Sequence, residues 1–204
     1  MLKSPVCLVL ATRNAGKIRE FRGLFHGLPL ELKSLRDFED MPEVEETGQT
    51  YGQNAELKAR ASASQTGQLS LADDSGLEIE ALGNAPGVLS ARFAGADAGY
   101  DDKIPKLLSM LTDSGDTERR ARFVCSAALA DPRGVILYTA EGVCSGTIAE
   151  DARGTGGFGY DPIFVPDGYD QTFAELPDDI KRRISHRARA SELIIRYLLD
   201  FTAV

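Results

Sequence analysis

Cysteine and histidine are scarce in this chain of 204 residues, and their scarcity argues against several kinds of site. Cys7, Cys125 and Cys144 are odd in number and form no CxxC pair, so we expect buried, reduced thiols in a reducing compartment rather than a disulfide framework. His26 and His186 show no HxxxH spacing, which argues against a zinc site. His26 lies near the end of a predicted helix, and we interpret it as a surface residue.

A basic charge balance and a long apolar run are also missing. The chain carries 23 lysines and arginines against 31 aspartates and glutamates, a formal net charge of -8. A general nucleic-acid binder needs a basic surface, although an acidic protein can still bind a polyanion through a local basic site or a divalent metal. No apolar run approaches the ~20 residues of a membrane span, and residues 1–5 lead directly into an apolar strand. We therefore expect a cytoplasmic protein without a signal peptide, a nucleic-acid partner or a membrane contact.

What is present is a pattern of short strands and amphipathic helices, which fits one domain over 1–204 or two tightly joined lobes. The first half predicts strands over 6–11, 30–35 and 69–72, the last resuming over 77–81, and helices over 17–25, from a Thr50 cap to about 64, and over 103–111. The second half predicts a hairpin of 121–130 and 135–148, a short strand over 163–165 and a final helix from near Ser185. Alternation followed by a hairpin indicates a mixed α/β fold rather than a purely parallel sheet.

The first candidate site is the polar loop from Thr12 to Lys17, between the first strand and the first helix. Such a loop gathers backbone N–H groups and a helix N-terminus at one point, which is a geometry that binds phosphate. Lys17 would add a positive charge, and Thr12 and Asn14 would add donors. The loop does not match the Walker A pattern, and a plain turn is the alternative interpretation.

The second candidate is a set of carboxylates. Asp73 and Asp74 end a predicted strand, and Glu45 and Glu46 close an acidic loop over 37–46. Adjacent residues of a strand point to opposite faces, so one of the two aspartates is expected to face a cleft. Magnesium is held by one or two carboxylates together with substrate phosphates, and strand ends carry active sites in α/β folds. The alternative is a solvated acidic loop and a turn cap.

Two further segments could hold an aromatic ligand. Glycines flank Phe158 and leave its ring free to stack on a purine, unless Phe158 and Tyr160 are simply core aromatics. A serine–histidine hydrolase is excluded at Ser185 and His186, because neighbouring helix side chains do not face each other. A serine-capped helix start could instead present His186 and Arg187 to carbonyl or phosphate oxygens, although a lone histidine is often structural.

Seven segments, in this order, resemble the non-canonical purine NTP pyrophosphatases, also called the inosine triphosphate pyrophosphatase family. They are ATRNAGK at 11–17, ETGQT at 46–50, NAELKA at 54–59, ADDSGL at 72–77, PGVLSARFAG at 86–95, GGFGYDP at 156–162 and SHR at 185–187. The resemblance implies an elongated mixed sheet flanked by helices, in two lobes with a central cleft. It also implies a homodimer that uses Mg²⁺ to hydrolyse ITP, dITP and XTP to the monophosphate and pyrophosphate, which cleanses the nucleotide pool.

The resemblance further implies roles for individual residues. Its triphosphate loop would consist of Thr12, Arg13, Asn14, Ala15, Gly16 and Lys17, with Lys58 beside it. Its metal carboxylates would be Glu45 and Asp74, with Asp74 also activating water and Ser75 contacting substrate. Its base pocket would contain Phe158, Gly159, Tyr160, Asp161, Lys181, His186 and Arg187.

The chain departs from the family pattern at two positions. Gln53 stands where the family often has glutamate, so position 53 is left out of the metal site, and Ala188 follows Ser-His-Arg where glycine is common. Three alternatives stay open: a pyrophosphatase with another base preference, a nucleotide sensor that does not hydrolyse, and a nucleic-acid-binding module. Metal-dependent release of pyrophosphate separates the enzyme from the last two.

Overall fold

The structure, a computed structural model, describes residues 6–39, 41–42, 44–95 and 97–202. Residues 1–5, to which the expectation of no signal peptide refers, lie outside these ranges, as do residues 40 and 43 of the acidic loop. The described residues form five helices, α1 Ala15–Leu24, α2 Tyr51–Thr66, α3 Tyr100–Asp113, α4 Asp178–Ile184 and α5 His186–Thr202. They also form seven strands, β1 Val6–Leu10, β2 Leu30–Ser34, β3 Leu69–Ile79, β4 Ala85–Pro86, β5 Arg120–Ala130, β6 Ile136–Ile148 and β7 Phe164–Pro166.

The strands form one mixed sheet, which confirms the predicted fold class. Their order is β2-β1-β3-β5-β6-β7, and β4 pairs with β3. β1 is parallel to both β2 and β3, whereas the pairs β3–β4 and β6–β7 are antiparallel. β5 and β6 are neighbours joined through residues 131–135. Such a connection is too short for a parallel crossover, so the predicted hairpin is present.

The chain divides into two compact units, each with its own core. The first unit comprises the described parts of Met1–Asp74, Cys125–Glu141 and Arg189–Val204, and the second comprises Ser75–Val124 and Gly142–Ala188. Leu8, Phe21 and Ile194 are among the buried residues of the first unit, whereas Phe123 and Phe164 contact each other in the core of the second, with their ring planes tilted by 58°. The single-domain assignment and the central cleft implied by the resemblance remain predictions.

One strand is longer than the sequence predicts, and this corrects the location of the acidic pair. β3 runs without interruption through Asp73-Asp74-Ser75-Gly76, so the two aspartates lie inside a strand instead of at its end. Polar residues can continue a strand when both faces provide partners, and Asp73 and Asp74 each have them. The two aspartates nevertheless lie just beyond the end of the neighbouring strand, because β1 ends at Leu10, which is opposite Leu71 of β3.

A second difference is α4, which the sequence analysis did not predict. The segment has only two apolar residues, Ile180 and Ile184, but their four-residue spacing is a helical signal, and both pack against the core of the second unit. Pro177 immediately precedes the helix. The expectation for the final helix is confirmed, because the Ser185 hydroxyl accepts a hydrogen bond from the backbone N–H of Ala188 at 3.1 Å.

The scarce residues behave largely as expected. All three cysteines are free thiols, and Cys125 and Cys144 are buried, but Cys7 is only partly buried, which corrects that part of the prediction. His26 is exposed and follows Phe25, the C-cap of α1, as predicted. None of the described helices is long and apolar enough to cross a bilayer.

Candidate active site

The loop from Thr12 to Lys17 is shaped by its own side chains. Thr12 Oγ1 accepts a hydrogen bond from the Asn14 N–H at 3.1 Å, and Asn14 Oδ1, the N-cap of α1, accepts one from the Lys17 N–H at 3.1 Å. Thr12 and Asn14 therefore order the loop, a role that the sequence analysis did not assign to them. The N–H groups of Ala15 and Gly16 lie in the first helical turn, where no intrahelical acceptor exists, and N–H groups in this position are suited to bind an anion such as phosphate.

Arg13, in the same loop, reaches towards the acidic segment. One guanidinium nitrogen, Nη2, donates to the carbonyl oxygen of Met41 at 2.8 Å, while Arg36 Nε donates to the carbonyl oxygen of Arg13 at 2.7 Å. These bonds hold the backbone of the loop in place from outside. Arg13 is thus anchored beside the expected phosphate site, and direct contact with a substrate remains a prediction.

The two adjacent aspartates of β3 each pair with a different lysine. Lys17 Nζ lies 3.0 Å from Asp73 Oδ2 and 3.4 Å from the Asp73 carbonyl oxygen, whereas Lys58 Nζ lies 3.1 Å from Asp74 Oδ1. The two lysines belong to different helices, α1 and α2, as expected when neighbouring strand residues point to opposite faces. The thiol of Cys125 also lies 3.9 Å from Asp73 Oδ2. Asp73 is one of the candidate carboxylates, but the resemblance implies a metal role for Asp74 alone, and spacing in the sequence does not show that Asp73 pairs with Lys17.

Lys58 also contacts the acidic loop, at 2.7 Å from Glu46 Oε1. Burial lowers the pKa of the Lys58 ammonium, but the carboxylates of Asp74, Asp73 and Glu46 outweigh that effect and leave its pKa above the ordinary value. Lys58 therefore stays charged between two carboxylates. The loop carboxylate paired with it is that of Glu46, whereas Glu45, the predicted metal ligand, is exposed.

Asn54 is a polar contact of Asp74 that the sequence analysis missed. It is fully buried on α2, and its Nδ2 donates to Asp74 Oδ2 at 3.2 Å. A polar residue next to the buried alanines of α2 was the available signal, since a buried amide must find partners. Gln53, left out of the metal site, accepts a hydrogen bond from the Gln49 N–H at 2.7 Å and so holds the end of the acidic loop.

The carboxylates of this cluster fit Mg²⁺ as a ligand group. No three His, Cys, Asp or Glu side chains in the described ranges gather closely enough to form a preformed metal cluster. Magnesium does not need one, because it binds through one or two carboxylates, substrate phosphates and water. Asp74 Oδ1 receives one hydrogen bond from Lys58 and Oδ2 one from Asn54, so each oxygen retains accepting capacity. An oxygen donor set favours magnesium over zinc.

The second unit gathers most of the predicted base pocket around Phe158. Lys181 Nζ lies 5.1 Å and Arg187 Cζ lies 5.7 Å from the centre of the Phe158 ring, both within cation–π distance. The Lys181 ammonium also pairs with Asp161 Oδ2, which accepts the Phe158 N–H at 2.7 Å. Arg187 is almost completely buried and donates from Nη2 to Ser75 Oγ at 2.9 Å. Phe158, Asp161, Lys181, Arg187 and Ser75 therefore form one connected cluster with an aromatic ring and two cations.

Gly157 is required for this arrangement. Its φ of +68° lies in the left-handed region, and a Cβ at this position would overlap Asp161 Oδ2. Gly159, at φ +71°, lies against the ring of Tyr100, where a Cβ would be 3.6 Å from the nearest ring atoms. The glycines of the segment thus allow the backbone to turn around the Asp161 carboxylate.

Tyr160 and His186 are more deeply buried than expected for side chains of a base pocket. The Tyr160 hydroxyl donates to the carbonyl oxygen of Ser90 at 3.1 Å, and its ring meets that of Tyr100 edge-on. Burial, and to a lesser extent Tyr100, raises the pKa of Tyr160. The His186 ring stacks on Phe123 at 4.6 Å and is buried. Tyr160 thus has the surroundings of a core aromatic, the alternative that the sequence left open.

The fold is that of an α/β protein, and each of the two groups of residues has chemistry that suits one part of a nucleotide. A helix N-terminus with lysines and carboxylates suits a metal-bound phosphate chain, and an aromatic ring with buried cations suits a base with carbonyl oxygens. The model of the Ham1 family matches residues 8–197, and the chain belongs to this family. This confirms the resemblance seen in the sequence.

Several relatives cover nearly the whole chain. A dITP/XTP pyrophosphatase of Geobacter sulfurreducens is 49% identical over 191 residues, which are 94% of this chain and 96% of that protein. Another, of Exiguobacterium sibiricum, is 45% identical over 194 residues, 95% of this chain and 98% of that protein. Among solved structures, a HAM1 protein from Coxiella burnetii aligns with a TM-score of 0.86 at 42% identity, covering 96% of this chain and 99% of the other.

Proposed function

We propose that this chain hydrolyses non-canonical purine nucleoside triphosphates, namely ITP, dITP and XTP, to the monophosphate and pyrophosphate. The observation that carries the proposal is the pairing of two adjacent carboxylates, Asp73 and Asp74, with Lys17 and Lys58 beside a helix N-terminus. The relatives named dITP/XTP pyrophosphatase support the choice of substrate. Removal of such nucleotides cleanses the cellular nucleotide pool.

The triphosphate binds at α1 in this proposal. The N–H groups of Ala15 and Gly16 donate to phosphate oxygens, and Lys17 and Lys58 offset the remaining negative charge. Mg²⁺, held by Asp74 and Glu45, supplies charge neutralisation at the phosphates when bound. Lys17 and Lys58 are already ordered by carboxylates, so little reorganisation is needed when phosphate oxygens arrive.

The Asp74 carboxylate orients the attacking water and accepts its proton. The water oxygen forms a bond to the α-phosphorus while the bond from that phosphorus to the bridging oxygen breaks, and pyrophosphate leaves with the bonding electrons. No covalent enzyme intermediate is required, because positioning and charge stabilisation are sufficient for this displacement.

The base is selected in the second unit. The purine ring stacks on Phe158, and N–H donors of Arg187 and His186 bind the 6-oxo group of inosine or xanthosine. Arg187 uses one of its five N–H groups on Ser75, so others remain for the base. A 6-amino group in ATP would leave these donors unpaired, at a cost of roughly 1–3 kcal/mol each.

Three finer features belong to the proposal. We propose a Mg²⁺ requirement, supported by the oxygen donors around Asp74, and a homodimer, supported by the family resemblance. A cytoplasmic location is supported by three free thiols, which are typical of a reducing compartment. The acidic net charge supports the absence of a nucleic-acid partner.

The test is release of pyrophosphate from ITP, XTP, GTP, ATP and dTTP, each with and without Mg²⁺. Fast, metal-dependent turnover of ITP and XTP alone is the expected result. Turnover of a different nucleotide would preserve the chemistry and contradict the base assignment. Binding of ITP without any turnover would contradict the enzymatic function and favour a nucleotide sensor.

A further inference from the structure

Asn54 occupies an unusual position for an amide side chain. It has no exposed surface and lies on α2 beside Ala55 and Ala59, which are also fully buried. A buried amide is costly unless its donors and its acceptor find partners. Both ends of Asn54 have one: Nδ2 donates to Asp74 Oδ2 at 3.2 Å, and Oδ1 accepts the Gly48 N–H at 2.8 Å.

The bond to Asp74 fixes the orientation of that carboxylate. Lys58 binds one oxygen, Oδ1, and Asn54 binds the other, Oδ2, so rotation of the carboxylate about its Cβ–Cγ bond would break both contacts. Outer partners of this kind set the direction in which a carboxylate presents its remaining lone pairs to a ligand. The Lys58 side chain is partly exposed, whereas Asn54 is fully buried.

The bond to Gly48 holds the segment that joins the acidic loop to α2, residues 47–50, against that helix. A Cβ at position 48 would lie 2.6 Å from Asn54 Oδ1 and 2.7 Å from the Cβ of Gln53, so the loop can approach this closely only with glycine there. Glu46, the last residue of the acidic loop, lies two positions before Gly48 and contacts Lys58 at 2.7 Å. Asn54 therefore connects the loop and the Asp74 carboxylate through a single side chain.

We propose that Asn54 is a positioning residue for Asp74: its Nδ2–H group holds the carboxylate in the orientation that activates water and receives the metal. The inference deepens the proposed function and rests on it. A structural alternative is that Asn54 only attaches the loop to α2 through its Oδ1. The two alternatives differ in which part of the Asn54 amide is important, the Nδ2–H donor that contacts Asp74 or the Oδ1 acceptor that contacts Gly48.

Three variants distinguish these halves. Asn54→Asp keeps an oxygen for the Gly48 N–H and loses the donor to Asp74, while Asn54→Ala loses both contacts. Gln53→Ala is the matched control, because it releases the neighbouring Gln49 N–H of the same loop without a contact to Asp74. For each variant we would measure kcat and KM for ITP, the melting temperature, and Mn²⁺ binding to the nucleotide-free protein by electron paramagnetic resonance.

We expect kcat to fall about 10- to 100-fold in both Asn54 variants, which is the range for groups that orient a metal ligand, while their KM for ITP stays near the parent value. The kinetic constants of Gln53→Ala should stay near those of the parent. Mn²⁺ should bind Asn54→Ala about tenfold more weakly than the parent. Parental kcat in Asn54→Asp, or an equal loss in Gln53→Ala, would overturn the positioning role in favour of loop attachment.

The two proposals fail in different ways. An unaltered chain that binds Mn²⁺ but releases no pyrophosphate from ITP contradicts the proposed function, whereas the Mn²⁺ comparison still measures the effect of Asn54 on Asp74. Equal Mn²⁺ affinity in parent and Asn54→Ala, with normal ITP turnover in both, contradicts only the inference about Asn54.

Discussion

Asp74 has two contacts on one carboxylate, with Lys58 and with Asn54, and substitution by asparagine tests its proposed role as a base. Asparagine keeps the shape and an oxygen for hydrogen bonds, but it cannot accept the proton of the attacking water. We expect Asp74→Asn to lower kcat by about 10²–10⁴-fold, the usual contribution of a general base, while the chain still folds. The melting temperature should fall to a lesser extent, because the amide nitrogen of asparagine cannot accept one of the two hydrogen bonds that Asp74 receives. Near-normal turnover with the same fold would remove Asp74 from the proposed mechanism.

Gly157 provides a second prediction at the level of one residue. Gly157→Ala combines an unfavourable positive φ with an overlap at Asp161, the carboxylate that holds both Lys181 and the Phe158 N–H. Gly27→Ala is the matched control, because Gly27 has a φ of +85° and no atom within 4 Å of its added Cβ.

We expect Gly27→Ala to lower the free energy of unfolding by about 1–2 kcal/mol, the cost of the left-handed conformation, with unchanged kinetics. Gly157→Ala should lose more stability and raise KM for ITP, because the Asp161 carboxylate must shift. Urea unfolding and steady-state kinetics provide the comparison. Equal stability losses and an unchanged KM would show that the Asp161 contact is unimportant.

For individual residues, the sequence predicted where the charged side chains lie better than it predicted which of them pair with each other. The alternation of a strand correctly implied that Asp73 and Asp74 point to opposite faces, and the resemblance located Lys17 and Lys58. It could not show that Lys17 pairs with Asp73, since that contact joins residues 56 positions apart. Nor could spacing choose Glu46 over Glu45 as the partner of Lys58, because the fold of the acidic loop decides which carboxylate reaches it.

Among the secondary-structure elements, α2 has the clearest start signal. Thr50 Oγ1 accepts the Gln53 N–H at 3.2 Å and caps the helix that carries Asn54 and Lys58. We expect Thr50→Ala to lower the free energy of unfolding in urea by about 1 kcal/mol, and Thr50→Ser to retain most of that stability, because serine also caps well. An equal loss in both variants would mean that the methyl group of Thr50, rather than its hydroxyl, supports the helix.

Most elements were predictable because apolar spacing is a local property. The Thr50 cap, the hairpin and the final helix follow directly from their own residues. β3 was broken at Asp73–Gly76 in the prediction because polar residues and glycine usually end strands, and the lysines that neutralise the aspartates belong to distant segments. α4 was missed for a related reason: its helical spacing extends over only two apolar residues.

On the scale of the whole molecule, the uneven distribution of charge matters more than the total. The net charge is -8, yet buried or nearly buried cations lie where the proposed substrate needs them: Lys58 in the first unit, and Lys181 and Arg187 in the second. Lys58 and Lys181 pair with carboxylates, and Arg187 donates to the Ser75 hydroxyl. A local group of cations can bind an anion even in a protein whose net charge is negative. The acidic composition therefore argues against extended nucleic-acid binding, which stays a prediction, without arguing against a nucleotide.

Stability at alkaline pH provides a prediction for the whole molecule. Burial raises the pKa of Tyr160, and burial together with the Asp161 carboxylate raises that of Tyr100, whereas an unfolded chain releases these protons near pH 10. Above about pH 10 the folded state therefore binds more protons than the unfolded state, so the free energy of unfolding must fall as pH rises. Lys58, whose pKa is also raised, contributes with the same sign.

Substitution of Tyr160 isolates its share of this pH dependence. Tyr160→Phe loses the hydrogen bond to the Ser90 carbonyl, which should lower the free energy of unfolding by about 1 kcal/mol near neutral pH. Between pH 9 and 11, however, the free energy of unfolding should fall less steeply in Tyr160→Phe than in the parent, because one buried phenol is gone. Tyr169→Phe, at an exposed position, controls for the removal of a phenol as such. Urea unfolding across this pH range measures the slopes. Parallel curves for the parent and Tyr160→Phe would show that Tyr160 does not couple folding to alkaline pH, and that the decline comes from Tyr100, Lys58 or both.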